Sequence, residues 1–124
     1  MSDRPRRRPV DPFLPVGPVV FDILLALSDE ERHGYAILQE VAARSRGATV
    51  LLPGTLYRAL GRMLDDGLIE ETEEQAAAHE GGDERRRYYR LTALGQDVAE
   101  AEARRLAALL RTARAKKVLR KADA

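Results

Sequence analysis

Pro53-Gly54-Thr55-Leu56-Tyr57-Arg58-Ala59-Leu60-Gly61-Arg62-Met63-Leu64-Asp65-Asp66-Gly67 is the stretch on which the fold turns. Proline is favoured in a first helical turn. Leu56, Leu60, Met63 and Leu64 follow at i, i+4, i+7 and i+8, which lays one apolar row along a helix. Gly67 stands where a C-terminal glycine ends such an element. The spacing predicts a helix over 53–66. Thr55, Arg58 and Arg62, at i, i+3 and i+7, lie opposite the row, and no acid occurs between Pro53 and Met63.

Upstream, Pro18 precedes Val19, Val20, Phe21, Ile23, Leu24, Leu25 and Leu27, a short and heavily buried helix over 18–27. Ser28 to Arg32 reads as a polar break. Ile37, Leu38 and Val41 then recur at helical spacing as far as the basic, glycine-ended stretch Arg44 to Gly47. Downstream, Leu68 and Ile69 open an extended run to about Gln75. Gly81-Gly82 marks a turn, and Arg86 to Leu91 forms a second extended run. A hairpin with its tip between Ala76 and Glu84 is the expectation. The resulting fold class is mainly α with a small β-hairpin, the layout of a winged helix-turn-helix plus a C-terminal dimerisation helix.

That last helix starts at Thr92, a good N-cap, and runs to about Ala115. Leu94, Val98, Ala101, Ala108 and Leu109 lie on one side. Ala99, Ala103, Leu106, Leu110 and Ala113 form a heptad-like row on another. A helix apolar on two faces must bury both. One face can cover its own chain; the other implies a second subunit, unless both form one broad stripe on a single core. Phe21, Leu24, Val98, Ala99, Ala103, Leu106, Leu110 and Ala113 are the candidate dimer contacts.

In a winged helix the third helix enters the major groove and the hairpin lies along the backbone. The order of elements is weak support, since other small α+β domains share it; the side chains strengthen it. Arginine forks onto guanine O6 and N7, so Arg58 and Arg62 are candidates for base or phosphate contact, the alternative being solubilising surface arginines. Free N–H groups at the start of this helix, approached closely at Gly54 beside Pro53, can hold a phosphate oxygen. Tyr57 lies at the edge of the same face, either donating its hydroxyl to phosphate or packing on the second helix. In the hairpin, a turn centred near Glu80 sets Glu70 against Arg90, Glu73 against Arg87 and Glu74 against Arg86. Arg85, Arg86 and Arg87 then offer charge to DNA, or the hairpin is merely zipped by exposed ion pairs.

Composition bounds the rest. With 124 residues and 44% hydrophobic side chains, one domain is expected. Absence of cysteine excludes disulfides and thiolate metal sites. Twenty-one basic against twenty acidic residues give a net charge of only +1, so charge informs through its distribution. Arg4, Arg6, Arg7 and Arg8 sit in a proline-rich start that reads as a flexible basic arm, a phosphate or minor-groove contact or else an inert tail. No apolar run is long enough to span a bilayer and no signal-type segment is seen, so a cytoplasmic protein is expected. His33 and His79 lack ligand-like spacing, and no nucleophile, phosphate loop or carboxylate pocket is visible. Neither metal, cofactor nor catalysis is expected.

His33-Gly34-Tyr35-Ala36-Ile37, Pro53-Gly54-Thr55-Leu56-Tyr57-Arg58-Ala59-Leu60, Gly67-Leu68-Ile69 and Tyr88-Tyr89-Arg90-Leu91-Thr92 stand in this order. Over residues from about 20 to 100 the set resembles the PadR family of bacterial transcriptional regulators. The resemblance implies a dimeric repressor on an inverted-repeat operator, with the last helix pairing the subunits and Tyr57 and the start of the third helix at the DNA. Tyr35, in the first of these motifs, is grouped with them. It also implies release by a small effector, sometimes held near the dimer interface. Two departures stand out: Leu52 occupies the position of a capping Ser or Thr, and the last helix carries no aromatic residue for a stacking pocket. The expected divisions are an arm over 1–15, the DNA-binding unit over 16–92, the dimerisation helix over 93–115 and a basic tail over 116–124. The rivals are a winged-helix module that binds protein, through the third helix or the acidic stretch Glu70 to Glu84, and a small-molecule carrier sharing the fold.

Overall fold

Proline and glycine set the helix limits. The computed structural model describes residues 9–72 and 87–120. Gly17 and Pro18 open α1 (Pro18–Leu27), and Pro53 opens α3 (Pro53–Asp66). Gly67 closes α3 in the left-handed region at φ 80°, which glycine enters without a steric penalty. There its N–H reaches the Leu64 carbonyl at 3.1 Å, and that of Leu68 reaches Met63 at 2.9 Å. Between these helices lie β1 (Arg32–His33) and α2 (Gly34–Arg44); β2 (Ile69–Thr72), β3 (Tyr88–Leu91) and α4 (Ala93–Ala115) follow.

The strands form one antiparallel sheet in the order β1-β3-β2. Glu70 lies opposite Arg90, as expected for this hairpin, and Arg90 Nε donates to Glu70 Oε2 at 2.7 Å. The expected pairs Glu73–Arg87 and Glu74–Arg86 involve residues outside the described ones, as does the whole tip. β1 was not expected, since Ser28 to Arg32 reads as a polar break. Two residues are too short for any periodicity, and the strand exists only because β3 offers Tyr88 and Tyr89 as partners.

Ile23, Leu24, Ile37, Leu56, Leu60, Met63, Ile69 and Val98 fill the core. Thr92 fastens α4 to the end of α3. Its hydroxyl accepts from the Gly95 N–H at 3.0 Å and donates to the Gly67 carbonyl at 2.5 Å, while its own N–H donates to Leu68 at 3.0 Å. A Cβ on Gly95 would collide with the Leu68 carbonyl, so only glycine lets α4 come this close.

Two expectations need correction. Leu24 and Val98 are fully buried within their own subunit and Ala99 nearly so, leaving no surface to offer a partner. The N-terminal arm is also shorter than residues 1–15: a single 3-10 turn (Asp11–Phe13) leads Val10, Phe13 and Val16 onto the core. The buried carboxylate of Glu102, which sequence reading had not singled out, anchors this segment. Glu102 Oε1 accepts from the Val16 N–H at 3.2 Å, and Arg105 binds both oxygens at 2.7–2.8 Å. Hydrogen bonding from Arg105 holds the Glu102 carboxyl below its ordinary range against the opposing effect of burial. Beyond Glu102, α4 leaves the body. Leu106, Leu109 and Leu110 are exposed, so the first apolar row is covered only as far as Ala101. The helix ends with Lys117 in the left-handed region and the Val118 N–H on the Ala113 carbonyl at 2.8 Å, so the basic tail is folded where it begins.

Candidate nucleic-acid interface

The face of α3 away from the core carries Gly54, Tyr57, Arg58, Gly61 and Arg62, all exposed, with Pro53 exposed at its start. Thr55, expected to project outward with the arginines, is half-buried at the edge of this face. The Arg58 guanidinium reaches back over Gly54, where an added Cβ would stand 3.6 Å from Nη1. Free N–H groups, a bare glycine and a cation are thus together at one end of the helix.

Among the described residues, the arginines of the sheet, of α2 and of the middle of α4 are occupied, while Arg46, Arg111, Arg114 and Arg120 have no ion pair. Arg44 pairs with Asp22 at 3.2 Å, Arg90 with Glu70 at 2.7 Å, Arg104 with Glu100 at 2.6 Å and Arg105 with Glu102 at 2.7 Å. Arg32 sits among Asp29, Glu30 and Glu40 and donates to the Ala26 carbonyl at 2.7 Å. Among the described residues, Arg58 and Arg62 have no such carboxylate. A pair of solvated guanidinium groups on one rigid helix face keeps its donors available for an external anion.

Tyr57 combines the two roles considered for it. Half of it is exposed, and its hydroxyl lies over Gly34 at the start of α2, where a Cβ would collide with it. Gly34 is therefore the seat that lets the α3 tyrosine cross to α2 beside Tyr35, which is 60% exposed. Gly34 stands in the His33–Ile37 motif, but this role is invisible in the sequence because the clash is between helices. Tyr89, opposite Glu71 in the sheet, is buried next to this group. Burial and the Glu71 carboxylate push its hydroxyl pKa up, against the Arg87 guanidinium hydrogen-bonded to it. Arg87 stands 3.7 Å from Glu71 with most of its side chain exposed. Arg85 and Arg86 lie outside the described residues.

The residues matched by the transcriptional regulator PadR-like family profile run from 23 to 101, more than half of the chain. This protein belongs to the PadR-like family. Its members are transcriptional regulators, not enzymes. A PadR family transcription regulator from Clostridium difficile R20291 is 28% identical, with a TM-score of 0.65 over 78% of this chain and 95% of that one. A PadR-like transcriptional regulator from Bacillus cereus is 26% identical, with a TM-score of 0.63 over 76% and 85%. Bacillus subtilis PadR, solved in complex with operator DNA, is 22% identical and shares the fold at a TM-score of 0.58 over 69% and 47%. Among curated proteins none matches this chain.

The PadR-like match stops at Ala101, one residue before Glu102 and the exposed half of α4. His33, in its first motif, is a structural residue here. Nδ1 accepts from the Ala36 N–H at 3.1 Å to cap α2, and the ring meets Tyr88 edge-on at 5.2 Å. No helix among the described residues is long and apolar enough to cross a membrane.

Proposed function

We propose that this PadR-like chain is a cytoplasmic, sequence-specific repressor that binds duplex DNA as a homodimer. The observation that carries this is the availability of Arg58 and Arg62 on the exposed face of α3, while Arg32, Arg44, Arg90, Arg104 and Arg105 are occupied by carboxylates. In this role the α3 start, with Pro53, Gly54 and Thr55, meets the backbone or base edges, and Tyr57 and Tyr35 flank it. Arg87, immediately before β3, lies along the phosphates in this role, which the sequence extends to Arg85 and Arg86 outside the described residues. The family's relatives support it, one being solved on operator DNA.

Dimerisation supplies the symmetry. Ala103, Leu106, Leu110 and Ala113 recur at four- and three-residue steps on the part of α4 that leaves its own body, with Leu109 beside them. Burying such a row in a two-helix seam removes apolar surface that the monomer cannot cover. Phe21, half-buried on α1, is the one of the α1 candidates still able to join it. Twofold symmetry places two α3 helices in successive major grooves about 34–36 Å apart, so the operator is an inverted repeat. On this view the DNA-binding unit runs to Thr92 and includes Val10 to Val16, which pack on its core, and 93–115 is the pairing helix. Release by a small effector completes the proposal. A shallow open recess of about 100 Å³ is lined by Phe13, Val20, Arg62, Met63 and Val98.

Selection from a random duplex pool tests the reading directly: an enriched inverted repeat is expected. Binding to it should weaken by about 10³- to 10⁵-fold between roughly 50 and 200 mM salt if six to ten phosphates are contacted. A flat salt response and no enriched sequence would instead favour a protein-binding module.

A further inference from the structure

The exposed large apolar side chains of the described residues fall mainly into two groups. Leu106, Leu109, Leu110 and Val118 lie along the distal half of α4 and its end. Tyr35, Val50, Leu52 and Tyr57 surround the entry to α3. The proposed dimer seam covers much of the first group; nothing among the described residues covers the second.

Leu52 is extended where the chain enters α3, and burial alternates along Val50, Leu51 and Leu52. Leu51 is buried and serves as the anchor, while Val50 is 71% and Leu52 63% exposed. Leu52 is also the N-cap residue of α3 and makes no side-chain cap. A serine here would satisfy a free N–H of the first turn. Leucine forgoes that bond and presents an isobutyl group to water at the tip of the helix whose first residues meet base edges.

We propose that Leu52, with Val50 beside it, reads thymine in the operator through its 5-methyl group. The partner follows from chemistry: the thymine methyl is the apolar group among the donors and acceptors on the base edges of the major groove. An aliphatic side chain has nothing to offer the polar edges and can desolvate only that methyl. Arg58, folded over Gly54 at the same helix end, holds the flanking polar or phosphate contact. A second copy of the chain is a poorer occupant of this patch, because α4 already carries an apolar row at heptad spacing.

Because the proposal rests on α3 being the helix that enters the groove, its test is chosen to fail separately. The sequence recovered by random-pool selection is resynthesised with deoxyuridine replacing thymidine one position at a time, which removes a methyl and nothing else. For the wild-type protein, one position per half-site should lose about fourfold in affinity, the ~0.8 kcal/mol of a buried methylene-sized group converted at 1.4 kcal/mol per decade. Leu52→Ser should bind thymine and uracil duplexes equally at that position and should unfold at a higher temperature than wild type, so lost discrimination is not lost folding. Selection repeated with Leu52→Ser should relax the preference for thymine there. Strong operator binding with no deoxyuridine effect, or an equal effect in both proteins, overturns thymine reading and leaves DNA binding intact. Failure of the wild type to bind any duplex overturns both.

Discussion

Gly95→Ala tests whether the fold depends on the close joint between α4 and the end of α3. A methyl at Gly95 would overlap the Leu68 carbonyl oxygen and come within 3.0 Å of its carbon and 3.4 Å of Leu91 Cδ2. The obstacle is backbone, so no rotamer change relieves it. Leu68 must move, and its carbonyl is the acceptor for the Thr92 N–H at 3.0 Å. Alanine gains about 1 kcal/mol over glycine inside a helix. Against that stand about 1–3 kcal/mol for overpacking, about 1 for the hydrogen bond and about 1 for the displaced Thr92 cap. The balance is a loss of about 2–4 kcal/mol, or roughly 10–15 °C in Tm for a chain of this size. Gly61→Ala is the internal control: nothing lies within 4 Å of the added methyl on the exposed face of α3. There the helix-propensity gain stands alone, and stability should rise by about 0.5–1 kcal/mol. Thermal and urea denaturation at one fixed protein concentration measure both. A Gly95→Ala protein as stable as wild type would refute the close packing of α4 on Leu68.

Three further outcomes are expected. Gly34→Ala displaces only the outer end of the half-exposed Tyr57 side chain, so stability should stay close to wild type while operator affinity falls in a fluorescence-anisotropy titration. Leu110→Glu puts a charge into the distal row of α4, where the subunit's own core is untouched; analytical ultracentrifugation should find a monomer with unchanged far-UV circular dichroism. Glu102 has a folded pKa below its ordinary value because Arg105 hydrogen-bonds the charged form. Its contribution is therefore fully present above the ordinary glutamate pKa of about 4.3 and is lost as pH falls through the lower folded value. Acid titration of Glu102→Gln should show a shallower loss of stability below that pH than wild type, and identical acid limbs would count against the Val16–Glu102 anchor.

The helices were legible because their signals are local. The apolar row of α3, Pro18, Pro53, Gly67 and the Thr92 cap each act within one or two turns, and α1, α3 and α4 run where these residues set them. Hairpin register followed from charge complementarity and turn position, and the Glu70–Arg90 contact confirms it at the described end. What stayed illegible depends on contacts between distant segments. β1 forms only against β3, Gly34 matters only because Tyr57 crosses to it, and Glu102 looks like one more surface acid until Val16 arrives 86 residues away. The same limit explains why Leu24, Val98 and Ala99 were assigned to a partner. Helical spacing shows that a residue is apolar on a given face, but not whether its own chain already covers that face.

Division of labour among the charges is what joins stability to recognition here. A net charge of +1 would suit a protein indifferent to DNA. Yet net charge does not decide binding; the local field of unpaired cations does. Carboxylates at Asp22, Glu70, Glu100 and Glu102 occupy arginines that hold α1 to α2, β2 to β3 and α4 to itself. The exposed pairs among them, Glu70–Arg90 and Glu100–Arg104, contribute little to stability. Their larger effect is to leave α3, where Arg58 and Arg62 stand without acids until Asp65, as one of the uncompensated positive surfaces of the described residues, another lying along Arg111 to Arg120 at the end of α4. Replacing Asp65, one turn from Gly61 on the exposed side of α3, with Asn should strengthen this field without touching the core. Tighter binding to all duplexes alike, with sequence preference unchanged, is the expected result, because a charge acts on phosphates that every sequence shares.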